Sequence, residues 1–233
     1  MIEPLQIPYL VRCKVTGPWA CFTRPEMKVE RVTYDVMTPS AARGILEAVY
    51  WKPEIVWRID RIHVLNPIQF MNIRRNEVAS AIPSGPITTA IRQGAGAIAL
   101  YIDDDKNRQQ RASRILKDVA YVIEAHFELR NHDSSRSRSD DLAKHHHIVK
   151  RRMISGQCFH QPYFGTREFA ADFSWIDSHP EIPPTKIVSS DQDLGFMLHD
   201  IDHGVIRTPK FFRARIRQGV IEVPSLNSPE LLS

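Results

Sequence analysis

A chain of 233 residues with 42% hydrophobic and 25% charged side chains can bury a sizeable core and has the balance of an ordinary globular protein. No apolar run nears the roughly 20 residues that cross a bilayer, and the N-terminus lacks the basic, apolar and small-residue regions of a secretory signal, so a cytoplasmic protein with no membrane partner is expected. Cys13, Cys21 and Cys158 are odd in number and far from CxxC spacing, which argues against a disulfide framework and a structural zinc site.

The opening run "PYLVRCKVT" sets Tyr9, Val11, Cys13 and Val15 against Leu10, Arg12, Lys14 and Thr16, the alternation of a half-buried strand. "MTPSAARGILEAVYWKP" reads as a helix capped by Thr38, with Pro39 in its first turn and Pro53 blocking continuation. Ile45, Leu46, Val49 and Tyr50 share its apolar face. Residues 54–68 are β-branched and aromatic enough for a strand. From 72 to 110 the period fades among Pro83, Gly85, Pro86, Gly94 and Gly96, which predicts a long loop or insertion with some short structure. Strict alternation returns at 115–129, with Val119, Tyr121, Ile123, Ala125 and Phe127 on one face of a strand. A polar connector is expected over 131–141, then a helix over 142–153. Further on, "TREFAADFSWI", "LGFMLHDI", "FFRARIR" and "GVIEVP" read as short strands, the last two as a hairpin turning at Gln218-Gly219. The order predicts an α+β fold: a ferredoxin-like or RRM-like N-terminal domain over 1–155 and a small antiparallel β-rich region over 156–233.

The net charge of +4 is a weak argument for nucleic acid, but 22 arginines against 9 lysines is a better one. The guanidinium fork grips phosphate oxygens in pairs and stacks on bases. The arginines gather at 107–114, 134–141, 150–153 and 210–218, a modest sign of an RNA or DNA partner.

The stretch "KHHHIVKRRM" (144–153) offers three chemistries. On a helical wheel Leu142, His146, Val149 and Met153 form one stripe, expected to pack on the sheet. Lys144, Ile148 and Arg151 lie on another side, and His145 sits beside Arg152 on the flank. Consecutive histidines point apart and cannot converge on one ion, so no metal is assigned. Packed or solvated histidines remain one reading. The other is acid–base chemistry at a phosphodiester, since neighbouring cations favour a neutral His145 and can hold a phosphate.

"GILEAVYWKP" (44–53), "LNPIQFMNIRRNEV" (65–78) and "KHHHIVKRRMISGQCFHQPYFGTREF" (144–169), in that order, resemble the Cas5d family of type I-C CRISPR systems. The resemblance implies the two-part fold above and a metal-independent endoribonuclease with no cofactor. Such an enzyme cuts precursor CRISPR RNA at the base of its repeat hairpin by 2′-OH attack, leaving a 2′,3′-cyclic phosphate. It then stays as a subunit of the interference complex, with the other subunits as partners. The family's catalytic tyrosine falls on Tyr50, and its Lys-His pair on Lys144 and His145. The family often has an aromatic where this chain has His146, so a one-residue slip would exchange the histidines; the wheel favours His145. Arg74, Arg75, Arg151 and Arg152 are the expected RNA contacts, with His160, Tyr163 and Phe159 as candidates for stacking on bases or, for Phe159, for core packing. DNA stays open as a further partner. Two rival functions stand beside this one. The first is a non-catalytic subunit holding the 5′ handle of the guide RNA. The second is a metal-dependent nuclease using the histidines with Asp103–Asp105, Asp200 or Asp202.

Overall fold

The computed structural model describes residues 3–232 except 28, 97, 131–137, 188–190 and 203–206. Strand β1 (Val11–Ala20) buries Val11, Cys13 and Val15 on one face, as the alternation predicts. Helix α1 (Pro39–Val49) starts where the Thr38 side chain accepts the Ala41 N–H at 3.2 Å, an N-cap with proline in the first turn. Strand β2 (Ile55–Val64) follows after Pro53.

The stretch expected as a long loop or insertion with some short structure is more regular than that, holding most of strand β3 (Phe70–Val78) and helix α2 (Ser84–Gln93). Strand β4 begins at Arg108 and runs to Leu129, well before the predicted start. β3 pairs with the first half of β4 over nine positions, from Phe70–Leu116 to Val78–Arg108. Apolar periodicity fades along this arm because only its first part, through Met71 and Ile73, packs on the core; further out the same face is polar, with Arg75 and Arg111 ion-paired to Glu77 at 3.0 and 3.6 Å. The second half of β4 lies between β1 and β2, and the strand bends at Asp118, whose φ is 52°.

Helix α3 (Arg138–Ile154) starts earlier than expected, taking 138–141 from the predicted connector; the rest of that connector lies outside the described residues. Strand β5 (Asp172–Trp175) adds to the free edge of β1. Strands β6 (Asp191–Asp202), β7 (Thr208–Arg217) and β8 (Val220–Glu222) extend the sheet beyond β2. The β7–β8 turn is the predicted one, with Gln218 and Gly219 both at positive φ (50° and 81°), as a tight two-residue hairpin requires. The sheet order is β5-β1-β4-β2-β8-β7-β6, with β3 paired to β4 alone and every strand pairing antiparallel.

α1 and α3 cover one sheet face. Val119, Tyr121, Ile123, Ala125 and Phe127 of β4 join Ile45, Leu46, Val49, Tyr50, Val149 and Met153 in the main core. The other face carries Ala120 and Val122 under Leu65 and Ile176. There Glu124 is fully buried, 2.8 Å from Arg12 Nε and 3.1 Å from His63 Nε2. Burial alone would raise its pKa, but the hydrogen bonds and charges of His63 and Arg12 hold it below the usual carboxylate range. Within the "GQCFHQPYFGTREF" stretch, Gly165 sits at φ 81°, and a Cβ there would lie 2.0 Å from the Cys21 carbonyl oxygen, so only glycine fits.

No helix among the described residues is long and apolar enough to cross a membrane. Cys13 and Cys21 are buried and Cys158 half-buried, all three as free thiols.

Candidate active site

Tyr50 is the residue at which α1 ends. Its N–H still donates to the Leu46 carbonyl at 2.8 Å, but its backbone is extended (φ −151°, ψ 118°), turning the chain toward Pro53. Helix ends leave carbonyls without partners, and side chains fill that role here. Trp57 Nε1 donates to the Tyr50 carbonyl at 2.9 Å, and Arg152 Nη1 to that of Val49 at 2.9 Å. The Arg152 guanidinium also lies 5.2 Å from the centre of the Tyr50 ring. The two partners come from β2 and α3, so three elements fix the phenol.

The phenol points at His145. Its oxygen lies 2.8 Å from Nδ1, and both side chains are buried, at 1% and 3% exposure. Phe127 stands edge-on to the imidazole with ring centres 6.0 Å apart. At the opposite edge of the ring, Nε2 is 3.5 Å from a carboxylate oxygen of Glu54, which is half exposed. The Nε2 edge is therefore the one that leads to solvent. Lys144 is exposed beside it.

The wheel's choice of packing stripe is corrected: His145 packs inward with Val149 and Met153, and His146 does not lead that face. At 100° per residue His145 and His146 lie ~40° and ~60° to either side of Val149, so the wheel alone cannot choose between them. The tertiary fold chooses, because the Tyr50–Phe127 pocket lies on the side of His145. His146 is half-buried against Tyr9 and Trp175, with ring centres 5.8 and 5.4 Å away, and His147 is exposed.

Burial holds His145 below the ordinary histidine range; the charge of Glu54 works upward, that of Lys144 downward, with smaller effects of Asp141 and Lys52. The imidazole is thus neutral near pH 7, the form a base requires. Burial pushes the Tyr50 phenol up, helped by Glu54 and opposed by Arg152. A hydroxyl both donates and accepts, so Tyr50 can hold the ring whether or not Nδ1 is protonated. A carboxylate only accepts, so Glu54 engages Nε2 once that nitrogen has taken up a proton and stabilises the imidazolium, while in the neutral ring Nδ1–H can donate to Tyr50 and leave Nε2 free. Glu54 escapes a sequence reading: it follows a helix-stopping proline, and nothing in its spacing links it to the histidine block.

Tyr50, Lys144, His145 and Arg152 are brought together, and the other candidates lie elsewhere. Arg151 is exposed on α3. Arg74 is exposed on β3, whereas Arg75 is engaged by Glu77, Glu168 and Ser113. His160 and Tyr163 stack on each other with ring centres 6.1 Å apart. Phe159 does not pack into the core: it is 87% exposed, while its N–H holds the Ala48 carbonyl of α1 at 2.8 Å. Among the described residues, no three His, Cys, Asp or Glu side chains gather closely enough to hold a metal ion. Asp200 is held by Arg43 through two contacts of 2.9 and 3.0 Å, and Asp103–Asp105 lie in an exposed turn.

The model of the family described as CRISPR-associated protein (Cas_Cas5), in its Cas5d form, matches residues 10–224. The chain belongs to the Cas5d family. It is 49% identical over 224 residues to the "CRISPR pre-crRNA endoribonuclease Cas5d" of Mannheimia succiniciproducens, covering 95% of this chain and 97% of that one. A Cas5d of Thermus thermophilus with the same description is 41% identical, covering 95% and 94%. A solved structure titled "Crystal Structure of CRISPR-associated Protein" shares the fold, with TM-score 0.66, 22% identity and 96% of both chains covered. The Cas5d fold is thus α+β, dominated by an antiparallel sheet with few helices.

Proposed function

We infer that this chain is a CRISPR pre-crRNA endoribonuclease that works without a metal, and that its reaction centre is the buried Tyr50–His145 pair with Lys144 and Glu54 at its exposed edge. The observation that carries this reading is the 2.8 Å contact between Tyr50 Oη and His145 Nδ1, with Nε2 turned toward the surface. His145, with its own proton on Nδ1, takes the proton of a ribose 2′-OH at Nε2; the 2′-oxygen attacks the adjacent phosphorus as the P–O5′ bond breaks, and the leaving 5′-oxygen takes a proton from solvent water. A 2′,3′-cyclic phosphate and a 5′-OH result. Tyr50 then accepts from Nδ1–H and keeps the ring in line, while Glu54 balances the imidazolium. Lys144 meets the extra negative charge of the phosphorane. Positioned proton transfer of this kind contributes typically ~10²–10⁴-fold.

The sheet order β5-β1-β4-β2, with α1 and α3 on one face, supports a ferredoxin-like, RRM-type unit. We keep residues 1–155 as the RNA-processing region and 156–233 as the smaller β-rich region, which lends β5 to the same sheet. Arg74, Arg151 and Arg152 contribute phosphate contacts, and His160 and Tyr163 a stacking surface for unpaired bases of the repeat. After cleavage in the cytoplasm the protein stays with its product as a subunit of the type I-C interference complex.

The test is cleavage of a repeat-hairpin RNA in excess EDTA, beside the same RNA with a 2′-deoxy nucleotide just 5′ of the scissile phosphate. Cleavage of the first alone is expected. Binding without cleavage of either would make the protein a handle-holding subunit, and rescue by a divalent metal would overturn the metal-free mechanism.

A further inference from the structure

The backbone is extended at Tyr50, and the side chains of Tyr50 and Trp51 end in opposite environments, one 1% and the other 56% exposed. Tyr50 goes inward to His145. Trp51 goes outward, although burying such a ring is normally favourable. It lines a groove of about 360 Å³ between the end of α1, the start of β2 and the β6–β7 edge, which opens into a hollow of similar volume along Arg58, Asp200 and Lys210.

The groove's charge is uneven. Arg43, Arg58, Arg130 and Lys210 face it, against Glu47 and Asp200. Arg43 is occupied by both of those carboxylates, and Arg58 by Glu128 at 2.8 Å. Arg130 and Lys210 form no ion pair among the described residues and stand beside the exposed indole. The groove also adjoins the reaction centre, since the Arg130 N–H donates to the Glu54 carbonyl at 2.8 Å and Trp57 joins the groove wall to the Tyr50 carbonyl.

We propose that this groove is the subsite for a single-stranded nucleotide flanking the scissile phosphate, its base stacked on Trp51 and its phosphate held by Arg130 and Lys210. The proposal rests on the endoribonuclease reading above. A hollow of this size takes one base with its ribose and excludes a duplex, so the hairpin stem lies outside it and an unpaired flank enters. Stacking needs only a π-face, so the subsite secures the strand without choosing the base.

The experiment measures Kd for two uncleavable 2′-deoxy RNAs, a repeat hairpin with its single-stranded flanks and the same hairpin trimmed blunt. Trp51→Ala should weaken binding of the flanked RNA about 10-fold to 100-fold and leave the blunt RNA unchanged, with Trp51→Phe retaining most of the affinity. Arg130→Ala and Lys210→Ala should each lower the salt dependence of flanked-RNA binding by about 0.7 in log–log slope. Unchanged flanked-RNA affinity in Trp51→Ala, with wild-type cleavage intact, overturns the subsite and leaves the enzyme reading standing. Equal weakening of both RNAs also overturns it, because Trp51 would then serve the stem or the fold. Failure of the wild-type protein to bind either RNA overturns the function itself, and the subsite with it.

Discussion

Tyr50→Phe removes one oxygen and keeps the ring, and its consequences follow from the 2.8 Å contact with His145. The substitution leaves a buried Nδ1 without its partner, which costs about 1–3 kcal/mol. A chain of this size loses about 2–4 °C of Tm per kcal/mol, so a drop of several degrees is expected with the fold intact. Tyr50 acts through His145, so its loss lets the imidazole swing. A misplacement of about 1 Å costs roughly 10²-fold in rate. On the proposed mechanism His145→Ala removes the base itself, at about 10³-fold. Independent effects would multiply to about 10⁵-fold in the double variant. Because both act through one imidazole, the double variant should be no slower than His145→Ala alone. Single-turnover cleavage of the hairpin RNA at saturating enzyme reads the four proteins directly, with the 2′-deoxy RNA checking that binding is unchanged. A double variant another 10²-fold slower than His145→Ala would show that Tyr50 has its own contact with the RNA, and would refute the positioning role.

Glu54→Gln removes the charge that works upward on His145, so the acid limb of the pH–rate profile should move to lower pH; an unmoved limb would remove Glu54 from the site. His145 already has a lowered pKa when folded, so its contribution to stability is present above the unfolded value and is lost as pH falls. Glu54→Gln should therefore make the protein more sensitive to acid in thermal melts at decreasing pH. Lys144 is exposed, so Lys144→Ala should leave Tm nearly unchanged while slowing single-turnover cleavage, with partial recovery in Lys144→Arg. Glu124→Ala leaves Arg12 and His63 facing an empty, buried site and should cost about 3–5 kcal/mol in urea unfolding, with cleavage retained at low temperature. The folded pKa of Glu124 is depressed, so that stability is present above the unfolded value and lost as pH falls through the folded one; the gap to the wild type should close in acid.

Where the chain's own chemistry is local, the sequence carries it. Thr38, Pro39 and Pro53 mark the limits of α1 through capping and a missing N–H. The alternation through Phe127 marks the buried half of β4, and Gln218-Gly219 marks a hairpin because only certain residues tolerate positive φ. The motif around Tyr50 and Lys144-His145 was legible through its resemblance to Cas5d. The β3 arm was not, because apolar contacts end at Ile73 and beyond it ion pairs hold the half-buried face. Nor could a helical wheel decide which histidine turns inward. His145 and His146 flank Val149 almost symmetrically, and the choice falls to a pocket built from Tyr50 of α1 and Phe127 of β4. Glu54 and Trp51 have no signature of their own. Their place on either side of the Tyr50 backbone comes from the way β2 returns beneath the end of α1. The sequence by itself therefore determined the elements and the kinds of side chain available. Tertiary structure decided which of them meet, because desolvation and the direction of each ring are set by neighbours far away in the chain.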